Sequence, residues 1–179
     1  MLQQFRQMNT IARPGGIVFF GSTFLSRLPL AELAQDFGTE LPVYNRSMAG
    51  LTIREALEVL EPCVLELRPS RIFVSMGDAE LNDGKLTPDA FAEAYQWLLY
   101  RLHNACGAKI YILSILSDSP GADKYNTRLQ QLADETGCTY LDVREALMSD
   151  SPAQHLFTLL HRFMRTWPIG FAEAMSLCR

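Results

Sequence analysis

The sequence predicts an α/β fold: a three-layer α/β/α sandwich built on a five-stranded parallel sheet. Three observations predict it. Apolar runs of strand length alternate with longer stretches of helical period. The runs themselves are too uniformly apolar for strands with one solvated face, which points to a sheet covered on both sides. The 179 residues, 48% hydrophobic and 20% charged, suit one compact domain spanning residues 1–179.

The strands are expected at Ile17–Phe20, Pro42–Asn45, Arg71–Met76, Lys109–Ser114 and Thr139–Val143, each short and rich in β-branched or aromatic residues. Between the second and third, Ala56, Leu57, Leu60, Val64 and Leu67 recur at helical spacing, and Thr52-x-x-Glu55 forms a capping box in front of them. Thr87-Pro88 supplies an N-cap and a first-turn proline for a helix whose apolar face is Phe91, Ala94, Tyr95, Leu98 and Leu102. A third helix follows the breaker Pro120-Gly121, running from about Asp123 to Thr136, with Gly137 placed for a left-handed C-cap. The stretch from Ser149 onward gives no clear pattern beyond the helical spacing of Phe163, Trp167 and Phe171, read as core or as a homodimer contact.

Composition excludes several functions. Sixteen Lys+Arg against twenty Asp+Glu give a net charge of −4, and the basic residues form no stripe that could track phosphates, so no nucleic-acid partner is expected. No apolar run approaches the ~20 residues of a membrane span. The N-terminus lacks the pattern of a secretory signal, which places the chain in the cytoplasm. Cys63, Cys106, Cys138 and Cys178 are far apart and lack a Cys-x-x-Cys, so they read as reduced thiols rather than metal ligands. No cofactor and no metal are expected.

Ligands of open parallel sheets bind outside the carboxyl ends of the strands. Three loops stand there: Gly21-Ser22-Thr23-Phe24, Asn45-Arg46-Ser47-Met48-Ala49-Gly50 and Gly77-Asp78-Ala79-Glu80-Leu81-Asn82-Asp83. In this order they resemble the first three sequence blocks of the SGNH (GDSL-like) hydrolase family. The resemblance implies the strand order 2-1-3-4-5 and an ester-hydrolysing ancestry. It puts Thr23 at the position of the serine nucleophile and Gly50 at the glycine whose N–H serves the oxyanion hole. Ala79 stands at the position of the asparagine that is a further oxyanion donor. Ser22, Asp78, Ala79, Glu80 and Asn82 are then candidate substrate-binding residues.

The fourth block of that family, Asp-x-x-His or Glu-x-x-His, supplies the general base and its orienting carboxylate. Three registers are open. Thr158-Leu159-Leu160-His161 keeps a histidine with threonine at the carboxylate position. Phe157-Thr158 with Met164 preserves the outer spacing but puts Leu160 and Phe163 at the acid and base. His155 has Pro152 at the carboxylate position and Asp150 out of step. Thr23, Gly50 and His161 are therefore the candidate catalytic set. Loss of one oxyanion donor costs on the order of 10²–10³ in turnover, and loss of the base roughly 10⁶. Three functions follow: a hydrolase-fold protein with impaired or lost acyl-esterase activity that binds a small acylated or carbohydrate-like ligand, an active short-chain acyl (acetyl) esterase using Thr23, or an assembly protein with a filled cleft.

Overall fold

The computed structural model describes residues 1–21, 23–117 and 119–166. Its five strands are β1 (Ile17–Gly21), β2 (Val43–Asn45), β3 (Arg71–Ser75), β4 (Lys109–Leu113) and β5 (Thr139–Leu141), all parallel and ordered β2-β1-β3-β4-β5. The expected strands are found within one or two residues at each end. Helices are α1 (Leu2–Asn9), α2 (Thr23–Ser26), α3 (Leu30–Asp36), α4 (Ile53–Cys63), α5 (Asp78–Asp83), α6 (Pro88–Ala105), α7 (Ala122–Thr136) and α8 (Pro152–Met164).

Side chains of successive strand residues point to opposite faces, and this divides the core in two. Val18, Phe20, Ile72, Val74, Ile110 and Ile112 pack with α4, α6 and α7 on one face. Ile17, Phe19, Phe73, Tyr111 and Leu113 pack with α3 and α8 on the other. On that second face Phe19, Phe73 and Tyr111 are direct register partners and stack across three strands, with ring centroids 4.8 and 4.7 Å apart. Phe163 adds its ring to Tyr111 at 5.4 Å, so it is part of the core; Trp167 and Phe171 lie outside the described residues.

The caps read from sequence are present. Thr52 Oγ1 accepts from Glu55 N–H while Glu55 Oε2 accepts from Thr52 N–H. Thr87 Oγ1 accepts from Ala90 N–H, and Gly137 closes α7 with φ +70°. The helix expected to run through Leu67 ends at Cys63, however, and continues only as a 3-10 turn over Leu65–Leu67. Pro62 sits in its last turn, and Arg68 turns the chain out in the left-handed region at φ +44°.

Helix α1 has no buried residue, although Leu2, Phe5 and Met8 recur at helical spacing along it. Tertiary contacts hold it: the Asn9 side chain donates to Pro62 C=O at 2.7 Å and to Glu66 at 2.8 Å, and Phe5 covers the Arg46 guanidinium at 4.9 Å. Cys63 is buried, and burial pushes its thiol up to about 11. Cys106 and Cys138 are half-buried free thiols; Cys178 lies outside the described residues. No helix among the described residues is long and apolar enough to cross a membrane.

The stacked ladder generates a stability prediction. Phe73→Ala removes the middle ring of the stack from a fully buried site and is expected to lower the unfolding free energy by about 3–5 kcal/mol. Trp97→Ala, at a residue 64% exposed, is expected to change it by less than about 1 kcal/mol. Urea unfolding of the two variants beside the parent checks both values.

Candidate functional site

The order β2-β1-β3 makes the chain reverse direction across the sheet at β1 and β3, and loops leaving their carboxyl ends part to leave a crevice. Thr23 opens α2 just beyond β1, and Asp78 opens α5 just beyond β3. Between them Gly77 has φ +120°, and a Cβ there would run into Ile115 Cδ1 and lie 3.0 Å from the Phe91 ring. Glycine is therefore required where β3 turns into α5.

Three loops are tied to one another by polar contacts. Thr23 N–H donates to Asp78 Oδ2 at 3.1 Å, and Gly50 N–H donates to Thr23 Oγ1 at 3.1 Å. The threonine hydroxyl thus accepts from the β2 loop rather than from an amide of its own helix. Glu80 Oε1 accepts from Ile53 N–H at 2.6 Å, bracing the start of α4. The β2 loop is pinned further by Asn45, whose side-chain amide donates to Leu25 C=O at 2.7 Å, and by Met48 N–H on Gly21 C=O at 2.9 Å. Gly50 takes the left-handed region at φ +72°.

Thr23, Asp78 and Asn82 line an open cleft of about 500 Å³. Phe24, Leu28, Leu81 and Leu116 form apolar walls; Arg27, one turn after Thr23, and the first residues of α8 complete it. Arg27 escaped the sequence reading, although its position four residues beyond Thr23 on a helical turn is a usable signal. Ser22 lies outside the described residues. Ala79 does not line the cleft, and its methyl group brings no donor to the site. Glu80 is not on the cleft either: it is 3% exposed and turns toward α4, lining a separate cavity of about 140 Å³ with Thr52, Arg54 and Lys85. The physical reason is that the N-terminal amides of α4 need an acceptor and Glu80 supplies it.

The structure does not bring His161 to Thr23. Its ring packs between Phe37, at 5.4 Å, and Phe157, at 6.2 Å. It lies eight residues, about 12 Å of helix rise, beyond the Ala153 that touches the cleft. Burial lowers its pKa, and Arg165 adds to that effect. His155 is one helical turn from Pro152 but is not hydrogen-bonded to Thr23, and His103 contacts the Cys138 sulfur at 3.4 Å at the far end of α6. Among the described residues no histidine is hydrogen-bonded to Thr23 Oγ1, whose bond is with the Gly50 amide. Among the described residues no group of three His, Cys, Asp or Glu is placed to hold a metal ion.

A second cavity, about 590 Å³, opens beside the first at Ser117, but its arginine is already committed. Arg144 donates to Asp142 at 2.6 and 2.9 Å and to Asp123 at 2.6 Å, and that pairing holds the Asp142 carboxyl below its ordinary range. The Thr23 cleft is the better candidate, because there a hydroxyl, two backbone amides and a carboxylate converge.

Chemically, both backbone donors that an oxyanion would use are occupied. Asp78 takes the Thr23 amide and Thr23 Oγ1 takes the Gly50 amide. An oxyanion forming there would also meet the Asp78 carboxylate: two like charges ~4 Å apart at an effective dielectric of ~20 repel by about 4 kcal/mol, close to a thousandfold in rate.

No family model matches the chain, and no curated protein does. Solved structures do. A protein described as a platelet activating factor from Streptococcus pneumonia superposes with a TM-score of 0.79 at 18% identity, covering 92% of this chain and 91% of its own. An acylhydrolase from Bacteroides fragilis gives 0.68 at 17% identity over 85% and 81%. An acetylxylan esterase from Geobacillus stearothermophilus gives 0.62 at 15% identity over 84% and 92%. The class defined here is the three-layer α/β/α SGNH hydrolase fold. Within it this chain is similar in backbone to acylhydrolases and esterases.

Glu80 generates a pH prediction. Burial pushes its carboxyl above the ordinary glutamate value; the Ile53 N–H bond opposes this and the Asp78 charge adds to the rise. The folded state therefore keeps a proton that the unfolded state releases, so this group's contribution to stability falls as pH rises from about 4.5 through the raised folded-state value. In Glu80→Gln, which keeps an acceptor for Ile53, that fall is expected to vanish. Urea unfolding of parent and variant across the window checks it; parallel curves would count against the assignment.

Proposed function

We propose that this chain is a binding protein derived from the SGNH hydrolases: the cleft beside Thr23 holds a small molecule, and acyl transfer is lost or strongly impaired. The observation that carries the reading is the Asp78 carboxylate on the Thr23 amide, 3.1 Å away, where a hydrolase needs a free donor. The placement of the three histidines supports it, since an alcohol nucleophile depends on a base within hydrogen-bond reach. The open volume of about 500 Å³ is within the ordinary range for small-ligand sites and disfavours a cleft filled by its own side chains. Gly50 and the paired Asn45-Arg46 fit descent from that family, whose glycine and preceding loop they match.

One observation favours the second reading, a short-chain acyl esterase: the Thr23 hydroxyl is held 3.1 Å from the Gly50 amide, at the place of a nucleophile. The same experiment decides between them. Hydrolysis of p-nitrophenyl acetate by the folded protein is expected at the background rate and equal in Thr23→Ala, with no fluorophosphonate labelling. Turnover that disappears in Thr23→Ala would sink the binding reading, and His155→Ala and His161→Ala would then show which histidine serves as base.

A further inference from the structure

We propose that the ligand of this cleft is a primary amine on an apolar body, with its ammonium directed at Asp78; the inference rests on the binding reading above and names its ligand class. The starting point is an unfilled valence. Asp78 Oδ2 accepts from Thr23 N–H, but Oδ1 is buried and has no hydrogen-bond partner among the described residues. A buried acceptor left unpaired destabilises the fold, and more so when it is charged. A donor brought by a ligand recovers that free energy. An ester carbonyl cannot, because it only accepts.

Charge narrows the donor. Among the described residues Asp78 makes no ion pair, while Asp83, Asp89, Asp123 and Asp142 each do. A carboxylate in a cleft walled by Phe24, Leu28, Leu81 and Leu116 attracts a cation more strongly than a neutral hydroxyl. The same walls favour an apolar body behind the charge. A small cavity of about 20 Å³, also lined by Asp78, adjoins the cleft, and Phe24 and Leu116 line both. Asp78 lines both spaces, so its carboxylate borders the cleft as well as the smaller cavity.

Arg27 supplies the competing expectation. It lines the same cleft and would draw an anionic ligand instead. It is exposed, however, and screened by water and salt, whereas the unpartnered Asp78 oxygen is buried.

The test uses the whole chain and three probes of matched shape: benzylamine, benzyl alcohol and benzoate. Binding is read near neutral pH from the amide shifts of Thr23, Gly50 and Asp78. Benzylamine is expected to bind at least roughly tenfold more tightly than either analogue, and to weaken as salt is raised. Asp78→Asn, which retains an oxygen for the Thr23 amide, is expected to weaken it by a similar factor, and Arg27→Ala to tighten it about two- to threefold by removing a like charge. Benzoate or benzyl alcohol binding as well as benzylamine overturns the inference, as does the absence of benzylamine shifts at these amides. If Asp78→Asn does not fold, the order of the three probes on the parent protein decides alone. Ester turnover that depends on Thr23 is read in a separate assay and overturns only the binding reading.

Discussion

The arrangement at the carboxyl edge of the sheet depends on two carboxylates that stand two residues apart on helix α5. Asp78 holds the Thr23 amide and Glu80 holds the Ile53 amide, so one short helix binds the loops after β1 and β2 to the loop after β3. The Gly50 amide on the Thr23 hydroxyl closes the remaining side. Each of these bonds joins a charged or polar side chain to a backbone amide that no regular helix or strand would otherwise satisfy. The cleft keeps its shape because these three loops are tied together at their bases.

The same ties set the chemistry. An oxyanion hole works because its donors are aimed at a place where charge will develop and are free when it does. Here the donors are present in the backbone but already engaged, one of them by a negative charge. The Asp78 carboxylate on the Thr23 amide places a negative charge beside those donors, where it disfavours a developing oxyanion.

Burial divides the carboxylates by role. Glu80, 3% exposed, acts on the scaffold by bracing α4 from a cavity on the far side of α5. Asp78, only half-buried, faces the cleft with one oxygen spoken for and one not. Two acids separated by a single residue in sequence thus serve different parts of the molecule. The alternation follows from the helix: side chains two apart point about 200° away from one another.

The fold was largely legible from the sequence because it is written in periodicities. Five apolar runs, the capping box at Thr52 and the glycine at 137 each act locally, through side-chain alternation, helix-end amides and left-handed backbone, and they stand where the sequence places them. The three loops were legible through their glycines, and Gly50 and Gly77 do take positive φ. Helix α1 was not, since it buries no residue fully and is held by Asn9 and Phe5 against α4 and Arg46, contacts made across more than thirty residues of chain. Nor was the packing of His161 between Phe37 and Phe157, since Phe37 is brought to it only by folding. Which way Asp78 and Glu80 turn, and that Arg27 joins them at the cleft, was decided only by tertiary structure, because a loop carboxylate finds its partner among amides that the chain brings near it only on folding.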